Sequence, residues 1–181
     1  MSQILSGARG ASTPTTLSYT SIALGKALSN LPVDGTYIAS LDTWNTIGQS
    51  EDIPTAFDFA AGSLRFFDKG RYRITLTNTA NTLPGAPFGP YQMTVKSYFT
   101  QDPLTPPFAP STNTSWLTLV DDGQQPAEVF ETTSTQFIYT AGAGEQLHLV
   151  YKGFGADPSM ECEITGLIDV PNTTLTVEVI E

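Results

Sequence analysis

Arg71-Tyr72-Arg73-Ile74-Thr75-Leu76-Thr77 alternates without a break. Tyr72, Ile74 and Leu76 fall on one side, and Arg71, Arg73, Thr75 and Thr77 on the other. A period of two marks a half-buried strand, because successive side chains leave opposite faces of the pleat. The turn Asp68-Lys69-Gly70 precedes this run. Before it, Phe57 and Phe59 flank Asp58, and Leu64 and Phe66 flank Arg65, with Ala61-Gly62 between the pairs. Thr36–Leu41 places Tyr37, Ala39 and Leu41 together. Beyond the run, Tyr91–Phe99 sets Tyr91, Met93 and Val95 against Gln92, Thr94 and Lys96. Further strands are expected at Trp116–Val120, Thr135–Thr140, Gln146–Tyr151, Glu163–Ile168 and Thr173–Ile180, the last with Leu175, Val177 and Val179 on one face.

Short strands separated by Gly, Pro, Asn and Asp turns point to an all-β fold, an antiparallel β-sandwich or barrel. Threonine suits the outer face of such strands, since a β-branched side chain packs on the pleat without adding charge. Ile22–Leu28 is the one stretch that reads as a helical turn. Residues 1–35 are small, polar and weakly patterned, and are expected to form an extended N-terminal arm. Residues 36–181 are expected to form the sandwich domain.

The chain's 181 residues leave room for one ordinary domain. It carries 18 acidic and 8 basic side chains, for a net charge of −10. Only 14% of its residues are charged, against about 25% in an average soluble domain. Its polarity comes instead from 26 threonines, beside 15 glycines and 13 prolines. A net-negative surface repels phosphate backbones, which argues against nucleic acid as a partner. No window approaches the ~18 apolar residues of a membrane span, so no membrane partner is expected. The start of the chain lacks the basic segment and the apolar run of about 7–15 residues that a secretory signal needs. Cys162 has no second cysteine to pair with. Synthesis and folding in a reducing cytosol are the expectation.

One histidine and one cysteine leave little for catalysis. His148 faces away from Leu147 and Leu149 and lacks the neighbours a transition-metal site needs. Glu161 and Glu163 flank Cys162 and raise its thiol pKa, which favours a structural thiol over a reactive one. Asp121-Asp122-Gly123 has only a fragment of a calcium loop and reads as an acidic turn. No Gly-x-Ser-x-Gly elbow occurs, and no phosphate-cradling loop precedes a helix. Acids are plentiful, yet nothing sets two of them across a cleft as glycoside hydrolysis requires. The chain is therefore expected not to be an enzyme and to need no cofactor or metal. Arg65, Lys69, Arg71 and Arg73 read as a polar strand face paired with nearby acids, or as a contact patch for an acidic neighbouring subunit.

Two connections, 79–90 and 100–115, exceed the ~12 residues beyond which loops are usually functional or disordered. Phe88 stands among prolines in the first, Leu104 and Phe108 in the second. Each of these side chains either tucks under its own loop or docks on a partner. In the partner-binding reading they join Ile4, Leu5, Arg9, Leu17 and Tyr19 of the arm as contact residues.

One ordered set of motifs goes beyond composition. Trp44-Asn45-Thr46-Ile47 is followed by Phe57-Asp58-Phe59, Gly62-Ser63-Leu64-Arg65-Phe66, Gly70-Arg71-Tyr72-Arg73-Ile74 and Phe137-Ile138-Tyr139. Then come Ala141-Gly142-Ala143-Gly144-Glu145-Gln146-Leu147-His148-Leu149 and the closing Thr174-Leu175-Thr176-Val177-Glu178-Val179-Ile180. Over residues 36–181 this resembles the jelly roll of the tumour necrosis factor and complement globular-head superfamily. The arm and the 100–115 insert lie outside the resemblance.

What it implies is a compact homotrimer, with Tyr72, Phe137, Tyr139 and Tyr151 packed about a three-fold axis. Ordinary sandwich core is the other reading of the same four residues. Bacteriophages use similar jelly rolls as capsid decorations, head spikes and fibre tips. The resemblance thus leads to the expectation of a virion surface protein, a cement or head spike made in the host cytoplasm and bound to the major capsid protein. The alternative is a head domain at a fibre tip that binds a glycan or host receptor.

Overall fold

The alternating run 71–77 forms the first half of β7 (Gly70–Thr82). Tyr72, Ile74 and Leu76 are buried as the period requires. The structure is a computed structural model, and it describes residues 18–82, 91–104, 114–121, 130–156, 160–165 and 172–180. Before β7 come β1 (Tyr19–Ala23), β2 (Leu28–Pro32), β3 (Thr36–Ile38), β4 (Asn45–Gln49), β5 (Phe57–Ala60) and β6 (Ser63–Phe66). After it come β8 (Tyr91–Thr100), β9 (Thr114–Asp121), β10 (Phe130–Ala141), β11 (Gln146–Gly155), β12 (Glu161–Ile164) and β13 (Thr174–Val179). Among the described residues the one helical piece is a 3-10 turn at Leu41–Thr43.

The strands form two antiparallel sheets. One runs β10–β7–β13–β1–β4, with β12 pairing the far end of β7 beyond β13 and β2 pairing β12. The other runs β5–β6–β11–β8–β9, with β3 also on β11. Setting the short strands aside, chain order β1, β6, β7, β8, β9, β10, β11, β13 divides into β1–β13–β7–β10 and β6–β11–β8–β9. That division is the double Greek key of a jelly roll.

Ile74, Leu76, Leu175 and Val177 of the first sheet face Met93, Val95, Leu119, Leu147 and Leu149 of the second in one apolar core. Phe57, Phe66 and Tyr72 fill one end, with Phe66 and Tyr72 ring centroids 4.6 Å apart. A short polar chain crosses the interior. Tyr151 Oη donates to Asn78 Oδ1 at 2.9 Å, and Asn78 Nδ2 donates to Ser97 Oγ at 2.6 Å. These buried groups are satisfied by one another, so the chain links β7, β8 and β11 with no unpaired atom among the three.

Two expectations are corrected. Residues 19–32 are not an arm: β1 lies between β13 and β4 inside the first sheet, so the sandwich begins by Tyr19. The cause of the misreading is that only Ile22 and Ala23 of β1 are buried, too few for an alternation to register. The helical turn expected at Ile22–Leu28 is instead the end of β1, a bend at Gly25-Lys26 and the first residue of β2. Lys96 lies on the face of β8 opposite Met93 and Val95, as the alternation has it, and is 2% exposed there.

Candidate assembly interface

A sandwich whose sheets do not close has margins, and each margin strand carries unpaired backbone groups that could template pairing with another chain. The margins of this molecule are of two kinds. On one side stand β4 and β5, of five and four residues. β4 meets β1 across a register shift at Ser21/Ile22. Short strands and bulges of this sort are the usual defences of an edge.

On the other side stand β9 and β10, of eight and twelve residues. Among the described residues β9 pairs only with β8, and β10 only with β7. The two strands pack against each other across the sandwich. From Thr132 to Ala141 β10 holds no charge, proline or glycine, and β9 holds none from Thr114 to Val120. Phe130 and Ile138 of β10 are 40% and 52% exposed. Over these stretches neither strand carries the charges, prolines or bulges that usually defend an edge; the charges, Asp121 and Glu131, stand at the strand ends.

The outward face of the first sheet continues from β10. Its registers set Gln136, Thr75, Thr176 and Ser21 in one row, and Ser134, Thr77, Thr174 and Ala23 in the next. Neither row contains a charge. Hydroxyls and amides are paired across the strands: Gln136 Nε2 donates to Thr75 Oγ1 at 3.0 Å, Thr77 Oγ1 to Ser134 Oγ at 3.2 Å, and Ser21 Oγ and Thr176 Oγ1 share a bond of 2.7 Å. The adjoining row is Ile138, Arg73, Glu178 and Tyr19, with Arg73 and Glu178 joined at 3.2 Å. Such rows give up little on leaving water, since their polar groups already hold one another and the Arg73–Glu178 pair is internal.

The outward face of the second sheet is different. Lys152, Lys96 and Trp116 lie opposite one another across β11, β8 and β9. Lys96 Nζ stands 5.2 Å from both the Tyr98 and the Trp116 ring centroids, and Lys152 Nζ 5.5 Å from that of Phe154. Burial and the neighbouring Lys152 charge both hold the Lys96 pKa below its ordinary value. The rings stabilise the ammonium that burial disfavours.

The residues singled out in the sequence are placed as follows. Tyr72 and Tyr151 are 1% and 0% exposed and leave no side-chain surface for a neighbour. Tyr72 Oη donates to Asp68 O at 2.8 Å, inside the chain. Phe137 is buried against Phe99, 5.6 Å between centroids. Half-buried Tyr139 stacks on Phe66 at 5.4 Å, donates to Glu145 Oε2 and accepts from Gln101 Nε2, both at 3.0 Å. Tyr19 lies half-buried on the outward face, its ring beside Gly48. Leu104 is 84% exposed just past β8. Ile4, Leu5, Arg9, Leu17, Phe88 and Phe108 lie outside the described residues.

Within the basic cluster, Arg65 grips Asp58 through two bonds of 2.9 and 2.7 Å, and Arg73 holds Glu178. Cys162 is fully buried, and burial with Glu161 and Glu163 pushes its thiol pKa up to about 12. A thiol so placed is no nucleophile at neutral pH. Ile138, an exposed apolar residue of the candidate margin, was missed. Its signal was present in Phe137-Ile138-Tyr139, where an apolar side chain must face outward between two that face in.

No protein-family model and no curated protein matches the sequence. The fold is similar to crystal structures of murine APRIL, a tumour necrosis factor-family jelly-roll protein. The structure at pH 5.0 gives a TM-score of 0.49 at 9% identity, covering 91% of this chain and 99% of that one. The structure at pH 8.5 gives 0.47 at 8% identity, with the same coverage.

Proposed function

We propose that this chain works by assembly rather than by catalysis, as a homotrimer that coats a larger particle. The observation that carries the reading is the pair of long edge strands β9 and β10, uncharged over Thr114–Val120 and Thr132–Ala141, adjoining a sheet face whose two central rows hold no charge. An edge of that kind is an aggregation hazard for a monomer, and in an assembly it is the contact. Margin and face are different surfaces of one molecule, so packing the margin of one copy on the face of the next is a head-to-tail contact. Such contacts close into rings when the rotation allows. Jelly rolls of the tumour necrosis factor type are commonly trimeric, which makes three the expected number.

In the fuller form of this reading the trimer is a cement or head-spike protein of a virion, made in the host cytoplasm and seated on the major capsid protein. Scarce charge and abundant threonine favour it, because broad neutral surfaces can be shared between subunits without burying ions. Sedimentation equilibrium of the purified chain is the first test. A mass about three times 19.4 kDa is expected, and a monomer at every concentration overturns the proposal. The second is cosedimentation of the trimer with shells of the virus that encodes it; failure to bind removes the capsid role and leaves the trimer standing.

A further inference from the structure

At the margin of the first sheet opposite β10, the bend between β1 and β2 and the start of β4 enclose a cleft of about 520 Å³. That volume lies within the ~300–1,000 Å³ of small-molecule sites. Exposed Tyr37 supplies the aromatic wall with an edge of the otherwise buried Trp44 beside it, Leu28 an apolar floor, and Lys26, Thr43 and Asn45 the polar groups. Leu28 and Tyr37 also line a neighbouring recess of about 180 Å³, together with Asn30 and Thr36.

Two observations set this cleft apart. Its described lining contains one cation and no carboxylate, in a chain with 18 acids and 8 bases. And the side chains of Lys26, Asn45 and Tyr37 make no hydrogen bond or ion pair among the described residues. Thr43 Oγ1 donates to Ser40 O at 2.7 Å, which leaves its lone pairs to accept. An ammonium, an amide and a phenol thus border one cavity, exposed and without partners among the described residues.

We infer that this cleft binds an acidic pyranose, a sugar ring carrying a carboxylate. The ring's C–H face suits the exposed Tyr37 ring, with the Trp44 edge beside it. Its hydroxyls suit Asn45 and Thr43, which between them offer donors and acceptors. The carboxylate suits Lys26, where a charge-assisted bond adds to the neutral ones. A simple anion would leave the aromatic wall unused, and an apolar ligand would strand the polar groups. The inference does not depend on the assembly reading, since none of these residues belongs to β9 or β10.

The test uses the full chain with Trp116→Phe, which leaves Trp44 as the one tryptophan reporter. Sodium glucuronate, glucose and sodium acetate are titrated against its fluorescence. Glucuronate is expected to give a saturable change. Glucose should bind about tenfold more weakly, the loss of one charge-assisted hydrogen bond, and acetate should give no change. Lys26→Gln, at an exposed position, should bring glucuronate down to the level of glucose, and Asn45→Ala should weaken both sugars. No saturable change with glucuronate overturns the inference. So does a response equally strong with acetate, or a glucuronate affinity untouched by Lys26→Gln. Sedimentation of the Lys26→Gln chain, measured alongside, reports on assembly separately.

Discussion

Gly153 shows how a single residue can hold two distant parts of the chain at a fixed spacing. A Cβ at this position would press on the Pro32 carbonyl oxygen and stand 2.8 Å from Met93 Cε. The backbone at Val33 forms a bridge with Gly153 itself, so the crowded atoms have no free direction to move. Gly153→Ala should therefore destabilise the fold by about 1–3 kcal/mol, the cost of overpacking, read as a lower urea midpoint with an unchanged slope. A glycine inside a strand pattern signals a close approach, so Gly153-Phe154-Gly155 announced that something comes near. What comes near is Pro32, far away in sequence, and no local pattern could name it. Cys162 was legible in full, because a lone thiol between two glutamates on an alternating strand admits little besides burial. Its folded pKa of about 12 lies above an ordinary value near 9. The folded state then holds the proton that the unfolded state releases, so its contribution to stability is whole below pH 9 and is lost as pH rises towards 12. The native protein should resist a thiol reagent such as Ellman's at pH 8 and react fully once denatured. Rapid reaction in the native state would place the thiol at the surface.

At the scale of elements, legibility followed the number of buried residues a strand contributes. β7 from Arg71 to Thr77 and β13 from Thr174 to Val177 bury every second side chain and could be read directly, whereas β1 buries two adjacent residues. β1 is nonetheless a central strand, because its partners β13 and β4 supply the hydrogen bonds that its own sequence does not advertise. The period also says nothing about which strand ends a sheet. The alternation in β10 resembles that in β7, yet one lies at a margin and the other in the middle. The candidate interface was hidden for that reason: it is a property of strand order, which the sequence carries only through pairings between remote segments. Ile138 gives the sharpest test of it. The side chain is 52% exposed, so Ile138→Lys should change the stability of the isolated chain by no more than about 0.5 kcal/mol. In the assembly it would set an ammonium against an uncharged neighbour, and a charged edge residue is the device by which proteins refuse edge contacts. The variant is expected to fold normally by circular dichroism and to sediment as a monomer. A variant that still forms trimers would move the contact away from β10.

For the whole molecule, the governing quantity is a net charge of −10 carried by few charged residues. Three copies brought together triple that charge while the proposed contact surfaces supply almost no opposing pairs. The free energy of association is then the gain from covering β9, β10 and the threonine face, reduced by long-range repulsion between like-charged bodies. The two terms respond oppositely to salt. Contacts between uncharged rows are insensitive to it, whereas repulsion is screened over about 10 Å at 0.1 M ionic strength and about 3 Å at 1 M. The trimer should therefore dissociate at a lower protein concentration as salt is raised, and its melting temperature should increase with both salt and protein concentration. An interface made of cross-subunit ion pairs would behave in the opposite sense, weakening as its pairs are screened. Arg65 and Arg73 bear on this choice, because each already has its acid within the chain, Asp58 and Glu178, and so has less to offer a neighbour. Sedimentation equilibrium at low and high sodium chloride thus distinguishes a neutral interface held against repulsion from an ionic one, and a dissociation constant that rises with salt would overturn the assignment of the uncharged face.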